Sequence, residues 1–87
     1  MEIEFDPAKE RLNRRKHGVG FDEAATCLLD PMARAREDGN AQGERRFVLL
    51  GMSNAARLLV VVYTLRGDTV RLISSRKPTK REEKDYA

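Results

Sequence analysis

Arg71 and Arg76 bracket Leu72, Ile73, Ser74 and Ser75, a run that reads as the last strand of a small sheet, and Arg46 opens an earlier apolar run. A guanidinium is costly to desolvate unless an anion meets it. Its planar fork also matches a phosphate better than any other side chain. These arginines therefore either hold a phosphate group or pair with the chain's own carboxylates, such as Glu44. Arg76 is the strongest of the three for phosphate, because at a strand end its head stays free while its stem packs. His17 is the one histidine. Histidine titrates nearest to neutrality, which suits general acid–base work, and at a helix end it equally serves to hydrogen-bond free carbonyls. Glu44 is a second candidate base, or an exposed partner for Arg45 or Arg46. Tyr86 is placed to donate a proton, to stack on a base, or to pack the last helix onto the sheet.

Length and composition bound the rest. At 87 residues the chain is expected to be one domain, 1–87, near the size at which a single core is only modestly stabilising. Seventeen basic against 14 acidic side chains give a formal charge of +3, a bias that suits nucleic acid or an acidic protein partner. The single cysteine, Cys27, excludes an internal disulfide and sits in an apolar run, where it reads as core filler. The N-terminus lacks a basic-then-apolar signal, and the apolar run from Leu58 to Tyr63 is too short to span a bilayer. A soluble, cytoplasmic protein without contact to a membrane is the expectation. No phosphate-binding glycine loop, metal-ligand spacing or serine–histidine motif is present, so no cofactor and no metal are expected.

The elements that must position these groups follow from local signals. Ile3 and Phe5 alternate with glutamates as in a short half-buried strand, and Asp6 with Pro7 supplies a helix start. The helix runs from about Pro7 to Lys16, with basic residues in its last turn and Gly18 suited to end it. Phe21 to Leu29 reads as a second short helix closed by Asp30 and Pro31. Met32 to Gly43 reads as a loop with room for a short edge strand, and Asp38, Gly39 and Asn40 carry a turn signal. Strands are expected at 46–50, 57–65 and 69–76, the last two joined at Gly67 and Asp68. A regular hairpin would set Thr64 opposite Arg71, Val62 opposite Ile73 and Val60 opposite Ser75, with Tyr63, Val61 and Leu59 opposite Leu72, Ser74 and Arg76. Thr79 and Glu82 have capping-box spacing and open a charged C-terminal helix. The fold class is α+β, a small antiparallel sheet packed with two N-terminal helices and a C-terminal one.

Taken in order, Phe5, Asp6, Pro7, Lys9, Asn13, Lys16, His17, Gly18, Val19, Phe21 and Ala24, then Glu44, Arg46, Gly51, Val61 to Thr64, Arg71, Ile73, Ser74, Arg76, Glu82 and Tyr86 resemble the pattern of the BrnT toxin family. The match runs nearly end to end. Its specific elements are the Lys16 to Val19 corner and the strand with Arg71, Ile73, Ser74 and Arg76. Gly20 departs from the pattern, standing where the family often has serine, which would cap the second helix better.

The resemblance implies a RelE-like fold and a metal-independent endoribonuclease toxin of a bacterial type II toxin–antitoxin pair. Such a toxin inhibits translation by cleaving RNA, free or on the ribosome. It is neutralised by a BrnA-like antitoxin, through which alone operator DNA would be met. Cleavage without a metal uses the neighbouring 2′-hydroxyl as nucleophile, and the protein must move two protons and balance charge on the phosphorane. His17, assisted by Glu44, fits the proton transfers, Arg46 and Arg76 the phosphate, and Tyr86 a proton or a base. Lys16 and Arg71 would bind RNA. The alternative is a non-catalytic module for nucleic acid or antitoxin in which the same arginines only position the ligand. Such a module would bind RNA with steep salt dependence and leave it intact.

Overall fold

The computed structural model describes residues 1–39 and 43–86. In chain order the elements are β1 (Glu2–Glu4), α1 (Pro7–His17), α2 (Phe21–Thr26) tightening into a 3₁₀ turn at Cys27–Leu29, β2 (Arg34–Glu37), β3 (Arg46–Met52), β4 (Leu58–Arg66), β5 (Thr69–Arg76) and α3 (Lys80–Glu83). The strands form one sheet in the order β1-β5-β4-β3-β2, with β1 parallel to β5 and the other neighbours antiparallel. The expected purely antiparallel sheet is thus corrected to a mixed one. Almost the whole chain separates β1 from β5, so no hairpin dictates their relative direction. The expected C-terminal helix is a single turn. Of the turn expected at Asp38, Gly39 and Asn40, the last residue lies outside the described residues.

Local chemistry explains the helices. The Asp6 carboxylate accepts the Ala8 N–H at 2.9 Å, Pro7 opens α1, and Gly18 closes it at φ 71° with its N–H on the Arg14 carbonyl. Helix α2 has no capping side chain at Gly20. Instead Glu10 reaches over from α1, accepting the Phe21 N–H at 3.2 Å while holding Arg14 Nε at 2.7 Å. A Cβ at position 20 would press against that guanidinium. The missing serine is therefore replaced by a carboxylate from the neighbouring helix.

One face of the sheet meets α2. Val19, Phe21, Ala24 and Cys27 are buried against Leu49, Leu59, Val61, Val70 and Leu72, with Phe5 set edge-on to Phe21 at 5.3 Å. Burial pushes the Cys27 thiol up to about 11, so it stays protonated as a small apolar filler. At the far end of the sheet Glu23 of α2 accepts from Arg57 Nε at 2.9 Å and Nη2 at 2.5 Å, and from the Ser53 hydroxyl at 2.7 Å. This network fastens the β3–β4 turn to the helix layer.

Strand β1 covers β5 only at Thr69 to Arg71. Beyond it, the buried side chain of Asn13 takes the place of a partner strand: its Nδ2 donates to the Ser75 carbonyl at 2.8 Å and to the Val19 carbonyl at 2.9 Å, and its Oδ1 accepts the Ser75 N–H at 3.1 Å. One amide thereby ties α1, the turn into α2 and β5 together.

The β4–β5 hairpin follows the expected register through Thr64 opposite Arg71 and Tyr63 opposite Leu72, then skips Ile73. Val62 faces Ser74, Val61 faces Ser75 and Val60 faces Arg76, one residue off the regular register. Ser75 is consequently turned into the helix layer, fully buried, and Arg76 to the opposite side.

Two outcomes follow from these ties. Asn13→Ala would strip partners from the buried Ser75 N–H and from two carbonyls, and is expected to cost about 2–4 kcal/mol in urea denaturation; a loss below about 1 kcal/mol would show that the clamp is incidental. Arg57 holds the Glu23 carboxyl down to about 2. With its folded value depressed, Glu23 contributes stability that is complete above the ordinary carboxylate range and lost as pH falls toward 2. Thermal melts of Glu23→Gln should show lower stability at neutral pH and a shallower decline between about pH 5 and 2; equal acid slopes would remove the claim.

Candidate functional site

Among the described residues the second face of the sheet carries no helix beyond the single turn of α3 at its margin. Reading the register across the strands, Arg34, Leu50, Val60 and Arg76 form one row, and Arg36, Val48, Val62 and Ser74 the next. Arg46, Thr64 and Arg71 form a third. Five arginines thus surround an apolar floor. After Arg76 the chain turns back, so that Glu82, Lys84, Asp85 and Tyr86 wall a groove of about 480 Å³ whose other side is Arg34 and Arg36.

Arg76 is held beside this groove by Glu82, which lines it. Its Nη1 and Nη2 donate to the two oxygens of Glu82 at 2.8 and 3.0 Å, and Nη1 also reaches the Lys77 carbonyl at 3.2 Å. Glu82 is itself fixed by α3, because its carboxylate accepts the Thr79 N–H at 2.8 Å while the Thr79 hydroxyl accepts the Glu82 N–H. The Arg76 fork, aided by the Thr79 N–H, holds the Glu82 carboxyl down to about 2, and Glu82 in turn raises the Arg76 guanidinium. The pair stays ionised at any physiological pH. Even so, the Arg76 side chain remains 40 % accessible, and a guanidinium with five N–H groups retains donors for a second anion.

Tyr86 closes the wall. Its hydroxyl donates to Asp30 at 2.5 Å, and the same carboxylate accepts the Met52 N–H at 2.7 Å and the Met32 N–H at 2.9 Å. The Tyr86 hydrogen bond, followed by those backbone bonds, lowers the Asp30 carboxyl, and Asp30 raises the phenol. The last described residue is thereby tied to the end of the helix layer.

The other residues singled out in the sequence are distributed as follows. Arg46 stands on the helix-free face, exposed, with no ion pair among the described residues. Arg71 shares that face but is bonded to Glu4 of β1 at 3.3 Å. Glu44 is bonded to Arg66 at 3.1 Å. Arg66 lies six residues along β4 from Val60, so that pair stands about 20 Å along the strands from the row of Arg76. His17 ends α1, half-buried, outside the groove lining. It lies one turn after Asn13, on the side of α1 that meets the end of β5. Lys16 beside it is exposed. The fold thus brings Arg76, through Glu82, to the groove that Tyr86 lines, with Arg46 and Arg71 farther along the same face, and keeps Glu44 apart from the groove. Arg34, Arg36 and Asp30 belong to the site as well. The signal for the first two was the alternation of Arg34, Ala35 and Arg36, obscured because no large apolar residue marks β2 as a strand. Among the described residues no group of three or more His, Cys, Asp and Glu side chains is arranged to hold a metal ion, and no helix is long and apolar enough to cross a membrane.

The comparisons with known proteins agree with this architecture. The family model described as the ribonuclease toxin BrnT of type II toxin–antitoxin systems matches residues 5–82. No curated protein sequence matches. The crystal structure of the Brucella abortus ribonuclease toxin BrnT is similar at a TM-score of 0.71 and 23 % identity, over 92 % of this chain and 99 % of that one, a likeness that shows a shared fold. With the family pattern extending from Phe5 at the end of β1 to Glu82 beneath Arg76, the chain belongs to the BrnT family of ribonuclease toxins of type II toxin–antitoxin systems.

Proposed function

We propose that the chain cleaves single-stranded RNA in the groove on the helix-free face, by attack of a 2′-hydroxyl on its neighbouring phosphate without a metal ion, and so inhibits translation. The observation that carries this reading is Arg76: a guanidinium held by Glu82, beside an apolar floor, with further arginines in the same and adjoining rows. Arg76 balances the charge that grows on the phosphorane, a role worth about 3 kcal/mol per well-placed donor, while Arg46 and Arg71, two rows along the same face, attract the RNA backbone. The 2′-hydroxyl proton passes to solvent, because His17 ends α1 on the helix side of the sheet, outside the groove lining. Tyr86, kept protonated beside Asp30, swings from that carboxylate to protonate the leaving 5′-oxygen. Lys16 adds positive potential for the RNA backbone. Glu44, committed to Arg66, is read as a structural partner.

A RelE-like relationship is consistent with the helix-free face being the working surface, and comes from the family resemblance. A BrnA-like antitoxin would neutralise the toxin by covering this face with carboxylates or an apolar helix, since five arginines around an apolar floor offer complementary chemistry to both.

Induction of the wild-type chain should arrest bacterial growth, and Arg76→Ala should abolish arrest while circular dichroism and melting show a folded domain. Arg66→Ala, which breaks only the exposed pair with Glu44, should remain toxic. A toxic Arg76→Ala would remove the central assignment. Tyr86→Phe keeps the ring but not the proton, and is expected to lower the cleavage rate about 10²-fold, the lower range for a lost general acid; wild-type rates with lowered stability would make Tyr86 only the anchor of the wall.

A further inference from the structure

We propose that Arg34 and Arg36 of β2 form a second phosphate subsite, which holds the RNA backbone on the opposite side of the groove from the scissile phosphate at Arg76. The inference rests on the reading of the groove as the RNA site and specifies how a substrate lies in it. Arg34 and Arg76 occupy the two ends of one row, with Leu50 and Val60 between them. Three inter-strand spacings separate them, about 14 Å at the backbone. The Arg76 fork is drawn to the other side, toward Glu82, so one phosphate cannot engage both ends. Leu50 and Val60 are buried at the base of the groove, and Val48 of the next row, half-buried, completes an apolar floor for a base or ribose. A strand laid across the sheet would therefore meet arginine, apolar surface and arginine in turn, which fits two phosphates separated by two nucleosides.

Arg34 and Arg36 are also free to act. Both are exposed, and neither has an ion pair among the described residues. The nearest carboxylate in sequence, Glu37, is occupied by Arg45 through bonds of 3.1 and 2.8 Å. The groove is lined by Arg34, Arg36 and Lys84 against two carboxylates, Glu82 and Asp85, with Arg76 bonded to the first of these from beside it. One of the two is already neutralised by Arg76. Charge on an edge strand also discourages pairing with another chain. That purpose requires no particular face, however, whereas both arginines occupy the helix-free one.

Two measurements with Arg34→Ala/Arg36→Ala test the subsite. In the first, the protein is titrated with a 2′-O-methyl RNA hexamer, which lacks the attacking hydroxyl and binds without being cut. The variant should bind about 10-fold more weakly, and the slope of log K against log salt should fall by about 1.4, two single-strand phosphate contacts at roughly 0.7 each. Unchanged affinity and slope would overturn the subsite. In the second, steady-state cleavage is compared on a dinucleoside monophosphate and a hexamer. Lengthening the substrate should lower KM for the wild type and not for the variant, with kcat on the hexamer little altered; an equal gain in both proteins would likewise overturn the subsite. If neither protein cleaves but the binding difference holds, the ribonuclease reading fails and the subsite stands.

Discussion

The extra residue at Ile73, with the Asn13 amide that grips Ser75 two positions later, decides which side of the sheet Arg76 occupies. In a regular strand residues five apart face opposite sides, so Arg71 and Arg76 would be parted and the Arg76 guanidinium would enter the layer beneath α1 and α2. Burying that charge without a partner would cost several kcal/mol. The bulge reverses the parity after Leu72. It turns the small Ser75 side chain into the helix layer and brings Arg76 onto the face that already carries Arg71 and Arg46. Asn13 stabilises the arrangement by giving the Ser75 N–H and carbonyl the partners that β1, ending opposite Arg71, does not supply.

From that constraint the two faces take up separate work. The helix side is apolar and held at its margins by Glu10 over α2 and by Glu23 on Arg57. The other side keeps a small apolar floor and surrounds it with cations. Concentrating arginines in this way carries a cost of mutual repulsion, which the fold offsets with Glu82 at Arg76 and Glu4 at Arg71. Glu82 does this from a single-turn helix fixed by its own capping box, so the same carboxylate ends a helix, orients an arginine and shapes the groove wall. Among the described residues the opposite wall has no such compensation at Arg34 and Arg36. A polyanion entering the groove meets ordered charge on one side and unpaired charge on the other.

How much of this was legible in the chain depended on whether the cause was local. Asp6, Pro7 and Gly18 bound α1, and Thr79 with Glu82 caps α3, because capping chemistry acts within a few residues. The hairpin at Gly67 was equally clear, its φ of 60° matching what such a turn asks of glycine. The bulge was not, since it is the outcome of a contest between the β4 ladder and an amide more than sixty residues away in α1. The direction of β1 was hidden for the same reason. Arg76 and Tyr86 could be singled out by type and position, but their partners Glu82 and Asp30 could not, because ion pairs across a fold leave no periodic trace. Glu44 looked like a base beside Arg46 and is instead opposite Arg66, a pairing that only the β3–β4 register creates.

The most direct test of Arg76 as the centre of the reaction is cleavage of end-labelled single-stranded RNA by purified protein in EDTA, alongside Arg76→Ala, with the product ends analysed. The account predicts products bearing 2′,3′-cyclic phosphates from the wild-type protein and loss of those products in the folded variant. Undiminished cleavage by Arg76→Ala, or cleavage that ceases when EDTA removes free metal, would contradict it.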